Sequence, residues 1–170
     1  MSWADIAAIS IALIACVFDL YSRRIPNALT FGAAAVALVV AAAVGGASGA
    51  WSSLIGLGIG LAIWLPIYAL GGMGAGDVKL MAAIGAWLGP ADAFYAAMFA
   101  AMAGAVLGVA LAVAHGCARQ TASNVQLLLV HWRVAGFTPH SQLTLATARS
   151  PRLAYAVPIL AGTVVALWLH

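Results

Sequence analysis

Six long apolar runs are the feature of this sequence that most restricts its fold. They fall at residues 3–20, 28–44, 52–70, 77–89, 93–114 and 153–169, separated by polar residues or by glycine and proline. A helix needs about 20 apolar residues to cross a bilayer core of about 30 Å, and several runs approach that length. Because 65% of the residues are hydrophobic and only 6% are charged, we predict an all-α, polytopic membrane bundle. It would have about six transmembrane helices in one domain, residues 1–170.

The seven Lys and Arg residues predict how these helices are oriented. Arg23 and Arg24 lie between the first two runs, Lys79 lies near the start of the fourth, and the other four lie between the fifth and sixth. Alternation of the spans puts all three segments on one side, which basic loops mark as cytoplasmic. We therefore predict that both termini are outside. The net charge of +3 then reflects topology, and nucleic acid is not an expected partner.

The one long polar segment, residues 115–152, is predicted to be cytoplasmic. Within it, residues 119–134 begin with polar side chains and continue with leucine, valine and tryptophan before Arg133. This pattern favours a helix lying along the membrane interface over one inserted in the membrane. A further span here would also disturb the alternation of the basic loops.

Two of the four aspartates stand out by their depth in the predicted membrane. Asp5 lies at the chain terminus and Asp92 follows Gly89-Pro90, where it can open a helix. Asp19 instead lies roughly 24 Å along the first span, and Asp77 roughly 18 Å back from the end of the fourth, at 1.5 Å per residue. Both carboxylates are thus predicted at a similar depth, just inside the cytoplasmic surface, where acids are costly and usually functional.

Two carboxylates at one depth can form an acid–base pair. If they approach within a few ångströms, both cannot ionise cheaply, so one holds a proton while the other is a base. Aspartic proteases use such a pair to activate water. The residues before Asp77 are rich in glycine, including Gly74 and Gly76, and glycine permits close backbone approach. We interpret this turn as a surface against which an extended substrate segment lies.

The segments FDLYSRRIPNALTFG around Asp19 and GAGDVKL around Asp77 together resemble the type IV prepilin peptidase family of intramembrane aspartyl proteases, which have a GxGD motif. A weaker similarity is YAVPILAG at residues 155–162. The resemblance implies that Asp19 and Asp77 are catalytic. Because an acid pair activates water without a metal ion, and no residues have the spacing of three zinc ligands, we expect no cofactor. Which aspartate is the general base stays open.

The resemblance also implies a substrate and a location. Family members remove the short cytoplasmic leader of type IV prepilins or pseudopilins after a glycine, in the bacterial inner membrane. The chain looks like the short form linked to Flp, or tight-adherence, pili. Larger members carry an N-terminal cysteine cluster and an N-methyltransferase activity; the first span begins at once here, so methylation is not expected.

Other polar residues near the two acids have simpler interpretations. Arg23 and Arg24 are topology anchors that could also seat substrate or a lipid phosphate. Asn27 is predicted to cap the second helix. Lys79 is two residues from Asp77, about 200° around a helix, so we expect it to extend to the lipid headgroups.

Metal binding and two other functions were weighed against the protease. His115, His131 and His140 lack the spacing of a helical zinc site, and no metal site is predicted. A small proton- or cation-coupled transporter would also use paired intramembrane acids, but it leaves the basic IPN loop and the glycine turn unexplained. A non-catalytic assembly subunit of a secretion system is the third alternative.

Overall fold

The structure is a computed structural model that describes residues 1–136, Thr138 and 153–169, and within these ranges every regular element is an α-helix. The helices are α1 (Trp3–Ser22), α2 (Asn27–Ala69), α3 (Ala75–Leu88), α4 (Pro90–Ala114), α5 (Ala118–Ala135) and α6 (Ala156–Leu169). The all-α prediction is confirmed.

Helix α2 is a hairpin of two limbs rather than one rod. Gly46 has φ 60° and ψ −144°, which interrupts the helical geometry and which glycine adopts without a Cβ penalty. A Cβ on Gly49 would overlap the backbone oxygen of Ala41, although these residues would be about 12 Å apart in a continuous helix. The chain therefore reverses here, and residues 27–45 and 47–69, the first and second limbs of α2, correspond to the second and third predicted spans.

Small residues bring the second limb of α2 into backbone contact with α3. A Cβ on Gly56 would overlap the carbonyl oxygen of Gly85, and one on Gly60 would overlap that of Met81. The buried Ser53 hydroxyl donates to the carbonyl of Ala86 at 2.8 Å. Such small-residue crossings let membrane helices pack closely where apolar burial alone provides little driving force. They fix the depth of α3 relative to α2.

Helices α1, α4 and α6 complete the core. The buried face of α1 is a stripe of small residues one helical turn apart, Ala8, Ala12, Ala15 and Cys16, and it ends in Asp19. Helix α6 packs on α4 so closely that a Cβ on Gly162 would overlap the backbone of Ala100. The packing therefore brings the end of α1 and the start of α6 to the same region of the bundle.

The helices lie where the sequence predicts membrane spans, but some are shorter than a full span. Among the described residues, α1, α2 and α4 are long and apolar enough to cross a membrane, and α6 is a shorter apolar helix. Helix α3 has 14 residues and is about 21 Å long, since Gly89 and Pro90 end it. Helix α5 is not among the candidate spans. Of the predicted cytoplasmic segment, residue 137 and residues 139–152 lie outside the described residues.

Candidate active site

Asp19 lies in the last turn of α1 and is only 8% exposed. The stripe of small residues along α1 places it on the face that packs into the bundle, so its carboxylate points inward. Its Oδ2 atom accepts a hydrogen bond from the backbone N–H of Ala156, the first residue of α6, at 3.3 Å. A residue 137 positions away in the chain thus contacts this carboxylate.

The chain turns sharply after Asp19. Arg23 has left-handed backbone angles, φ 54° and ψ 26°, and its N–H donates to the carbonyl oxygen of Asp19, which ends α1. Pro26 then precedes the first turn of α2. Residues 23–27 therefore lie next to the end of α1 and contact the start of α3.

Asp77 lies in the first turn of α3. Gly71 supplies a positive φ of 77° in the turn before it, and Gly74 is the N-cap of the helix. The N–H of Gly74 donates to Oδ2 of Asp77 at 3.3 Å. A carboxylate in this position satisfies a backbone donor at the helix start and is favoured by the helix dipole.

Asp19 and Asp77 line the same cavity, which has a volume of about 440 Å³. All the site residues predicted from the sequence line this cavity, with Ile25, Pro26 and Ala75 as its other lining residues: Asp19, Arg23, Arg24, Asn27, Gly74, Gly76, Asp77 and Lys79. We call Arg23, Arg24 and Lys79 the basic rim.

The two glycines before Asp77 face parts of the protein itself. A Cβ on Gly76 would lie 3.3 Å from the Cβ of Ile25, and a Cβ on Gly74 would lie 3.1 Å from Oδ2 of Asp77. Gly76 therefore gives room to the connection between α1 and α2, and Gly74 gives room to the carboxylate. We expected these glycines to let a substrate approach the backbone closely. At these two Cβ positions, side chains of the protein itself occupy that space.

Lys79 and Asn27 differ from their predicted roles. The N-cap of α2 is Pro26, without a side-chain cap hydrogen bond, so the prediction that Asn27 caps this helix was wrong. Its Oδ1 instead accepts a hydrogen bond from Nζ of Lys79 at 3.0 Å. The same ammonium lies 5.1 Å from the ring centroid of Phe31. The Lys79 side chain therefore connects α3 to the start of α2. We had expected it to extend to the lipid headgroups.

Three residues of the site were not singled out as functional by sequence reasoning. Ile25 packs on Gly76, Ala156 donates to Asp19, and Tyr155, the residue before α6, packs its ring edge-on to that of Trp64. The sequence motifs contained these three residues, because Ile25 belongs to the IPN segment and Tyr155 and Ala156 begin YAVPILAG. Their contacts depend on which faces of distant helices meet.

Within the described residues, no three histidine, cysteine or acidic side chains are grouped as metal ligands. His115 ends α4 and its Nδ1 lies 2.9 Å from the carbonyl oxygen of Leu111. His131 lies in α5, and His140, which was also assigned no ligand role, is outside the described residues.

The fold and the cavity define a multi-pass helical membrane protein with two carboxylates gathered at one end of its bundle. A comparison with protein families identifies the family of this chain. The model of the type IV leader peptidase family, Peptidase_A24, matches residues 6–109. The chain belongs to this family of aspartic endopeptidases, whose substrates are prepilins. Neither the search of curated proteins nor that of solved structures found a match.

Proposed function

We propose that this protein is an intramembrane endopeptidase that removes the short cytoplasmic leader of Flp-type prepilins or pseudopilins, cutting after a glycine. Asp19 and Asp77 are its catalytic pair. The observation that carries the proposal is the shared cavity, which both carboxylates line. Family membership supports the substrate class.

The chemistry requires one carboxylate and one carboxylic acid. The carboxylate takes a proton from water as the water oxygen attacks the carbonyl carbon of the scissile peptide, and the carboxylic acid gives its proton to the carbonyl oxygen. A neutral tetrahedral intermediate forms. It collapses as the C–N bond breaks and a proton passes to the leaving nitrogen, which yields a carboxylic acid and an amine. The two aspartates exchange protonation states during the cycle.

The position of the pair at helix ends favours cleavage near a membrane boundary. Asp19 is in the last turn of α1 and Asp77 in the first turn of α3, and the positive-inside rule assigns this end to the cytoplasm. A protease needs an extended peptide because helical carbonyls are already hydrogen bonded. A glycine at the junction of leader and apolar helix weakens helical structure there by about 1 kcal/mol relative to alanine.

The location proposed is the bacterial inner membrane, with both termini outside and the whole chain, residues 1–170, forming one domain. Helix α5 would lie along the cytoplasmic interface, since it is exposed on most of its described side chains and is not a candidate span. The basic rim would meet anionic lipid phosphates or the substrate at this surface.

Co-expression with a Flp-type prepilin tests the proposal, with mass spectrometry of the pilin as the measurement. Wild-type enzyme should remove the leader on the C-terminal side of its last glycine. Asp19→Asn and Asp77→Asn should each leave the prepilin whole, because each removes one member of the acid–base pair. Asp92→Asn is the matched control, since Asp92 lies in the first turn of α4, away from the cavity lining, and should not affect processing.

Two results would contradict this function. Processing by both Asn variants would show that the pair is not catalytic. A wild-type cut deep within the apolar segment of the pilin would show that the cavity does not act at the membrane boundary.

A further inference from the structure

We propose that the first turn of α6 is a positioning element of the active site, acting through the backbone N–H of Ala156 on the carboxylate of Asp19. This inference rests on the proposed function, because it assigns a role within that reaction. The donor, Ala156, lies outside the 6–109 range that the family model matches, whereas Asp19 lies within it.

The contact joins two buried groups. Asp19 is 8% exposed and Ala156 is fully buried, and the N–H of Ala156 lies 3.3 Å from Oδ2 of Asp19. The first N–H groups of a helix have no partner within that helix. Here the next N–H in the chain, of Val157, donates to the carbonyl of Ala154 at 3.1 Å, whereas that of Ala156 donates to the aspartate. A buried N–H left without a partner is costly, so the carboxylate and the helix start stabilise each other.

The hydrogen bond fixes the orientation of the Asp19 carboxylate. An N–H group can only donate, so the Oδ2 atom that it contacts acts as an acceptor. Asp77 has the same arrangement, because its Oδ2 accepts from the N–H of Gly74 at 3.3 Å. One oxygen of each carboxylate is thus held by a backbone N–H, which restrains the rotation of the carboxylate. The Ala156 N–H therefore orients the Asp19 carboxylate within the pair.

The start of α6 is held by packing, so it can serve as a fixed donor. The Tyr155 ring lies edge-on to the ring of Trp64, with centroids 6.1 Å apart, and Trp64 is only 1% exposed. A Cβ on Gly104 of α4 would lie 3.3 Å from the Tyr155 ring, and Gly162 lies against the backbone of Ala100. Contacts with α2 and α4 thus restrain this turn, so the N–H of Ala156 is held in place beside Asp19.

The test removes the N–H while keeping the residues of the pair. Ala156→Pro deletes the donor at the first position of a helix, where proline is well tolerated. Lactic acid at position 156, introduced in place of alanine, exchanges the N–H for an ester oxygen and retains the methyl group, so it serves if the proline variant does not fold. Ala156→Gly is the matched control, because it keeps the N–H and removes only the side chain.

Full-length variants would be assayed on a purified prepilin in proteoliposomes. A hydrogen bond to a charged group is typically worth enough to change a rate about 10- to 100-fold, so kcat should fall by that factor in both donor-deleted variants, with KM unchanged. The pH profile of kcat, which the two carboxylates set jointly, should also differ from wild type in both donor-deleted variants, because one member of the pair loses a hydrogen-bond donor. The titratable groups around Asp19 are Cys16, Asp77, Tyr155 and the basic rim, and all remain present. Ala156→Gly should lose much less kcat than either donor-deleted variant, because it keeps the N–H.

The outcomes separate this inference from the function on which it rests. Wild-type kcat and pH profile in the lactic acid variant would overturn the positioning role, as would an equal loss of kcat in Ala156→Gly. If Asp19→Asn still cleaves, the proposed function itself fails. If Asp19→Asn is inactive while the lactic acid variant matches wild type, only the role of α6 is refuted.

Discussion

The side chain of Ile25 fills the space that a Cβ on Gly76 would need, with the two Cβ positions 3.3 Å apart. This contact seats the connection between α1 and α2 on the first turn of α3, one residue before Asp77. The glycine therefore matters for how Asp19 and Asp77 are brought together, since each carboxylate is attached to one of the two parts that meet here.

Gly76→Val should lower kcat, because a branched side chain must displace Ile25 and with it the end of α1. Overpacking of this kind costs about 1–3 kcal/mol, and we expect a rate loss of about 10-fold or more if that strain falls on the pair. Adding Ile25→Ala should restore part of the activity by freeing space, as measured by prepilin cleavage. Absence of any rescue would indicate that the valine obstructs the substrate instead.

Gly56→Ala should destabilise the protein, whereas Gly58→Ala should not. A Cβ at Gly56 overlaps the carbonyl oxygen of Gly85, whereas no atom lies within 4 Å of one at Gly58. We expect Gly56→Ala to lower the free energy of unfolding by about 1–3 kcal/mol, and Gly58→Ala to leave it unchanged or raise it by up to about 1 kcal/mol through helix propensity. Unfolding in mixed detergent micelles measures both. Equal effects at the two positions would be inconsistent with the backbone crossing.

Lys79 and Asn27 should be energetically coupled. Their hydrogen bond of 3.0 Å is exposed, so the coupling should be modest, about 0.5–1 kcal/mol. A double-mutant cycle of Lys79→Met and Asn27→Leu, read out by unfolding, measures it. Asn27→Asp should retain the interaction as an ion pair. Strict additivity of the two single changes would show that the bond contributes nothing.

The predicted topology places the reversal in α2 outside the cell and α5 in the cytoplasm. In a chain with Cys16 and Cys117 replaced by alanine, single cysteines at Ser48 and Ser123 can be labelled with an impermeant thiol reagent. Both positions are exposed. Intact cells should label position 48 and not position 123, and permeabilised cells should label both. The reverse pattern would invert the assignment of both termini.

Catalysis by the aspartate pair should proceed without a metal ion, because the pair itself activates water and protonates the carbonyl oxygen. Cleavage should therefore survive EDTA and follow a bell-shaped pH profile set jointly by the two carboxylates. Loss of turnover with EDTA that zinc restores would refute this prediction.

Sequence reasoning predicted the helices well because their signal is local. The length of an apolar run and the glycine or proline residues that end it are visible in consecutive residues. The predicted limits 93–114, for example, lie within a few residues of α4, Pro90–Ala114. Motif resemblance likewise identified the family, which the family model confirms. Counting residues along each helix predicted a similar depth for Asp19 and Asp77, and both line one cavity.

Contacts between distant segments could not be predicted in this way. Whether Asn27 caps its own helix or accepts a hydrogen bond from Lys79 depends on how the first limb of α2 is rotated against α3. The donor from Ala156 to Asp19 similarly requires the packing of α6 on α4, which no local pattern encodes. Ile25 and Gly76 were both visible in motifs, but their pairing was not.

The crossing of Gly56 and Gly85 limits how this protein can change over evolutionary time. At most helix contacts, a larger side chain on one side can be accommodated by a smaller one on the other. Here the backbones themselves touch, both residues already lack a side chain, and neither can be reduced further. A substitution at either position has no compensating partner at the other, so these two positions cannot covary. Along the second limb of α2, substitutions are therefore expected at positions such as Gly58, where a Cβ would have no atom within 4 Å.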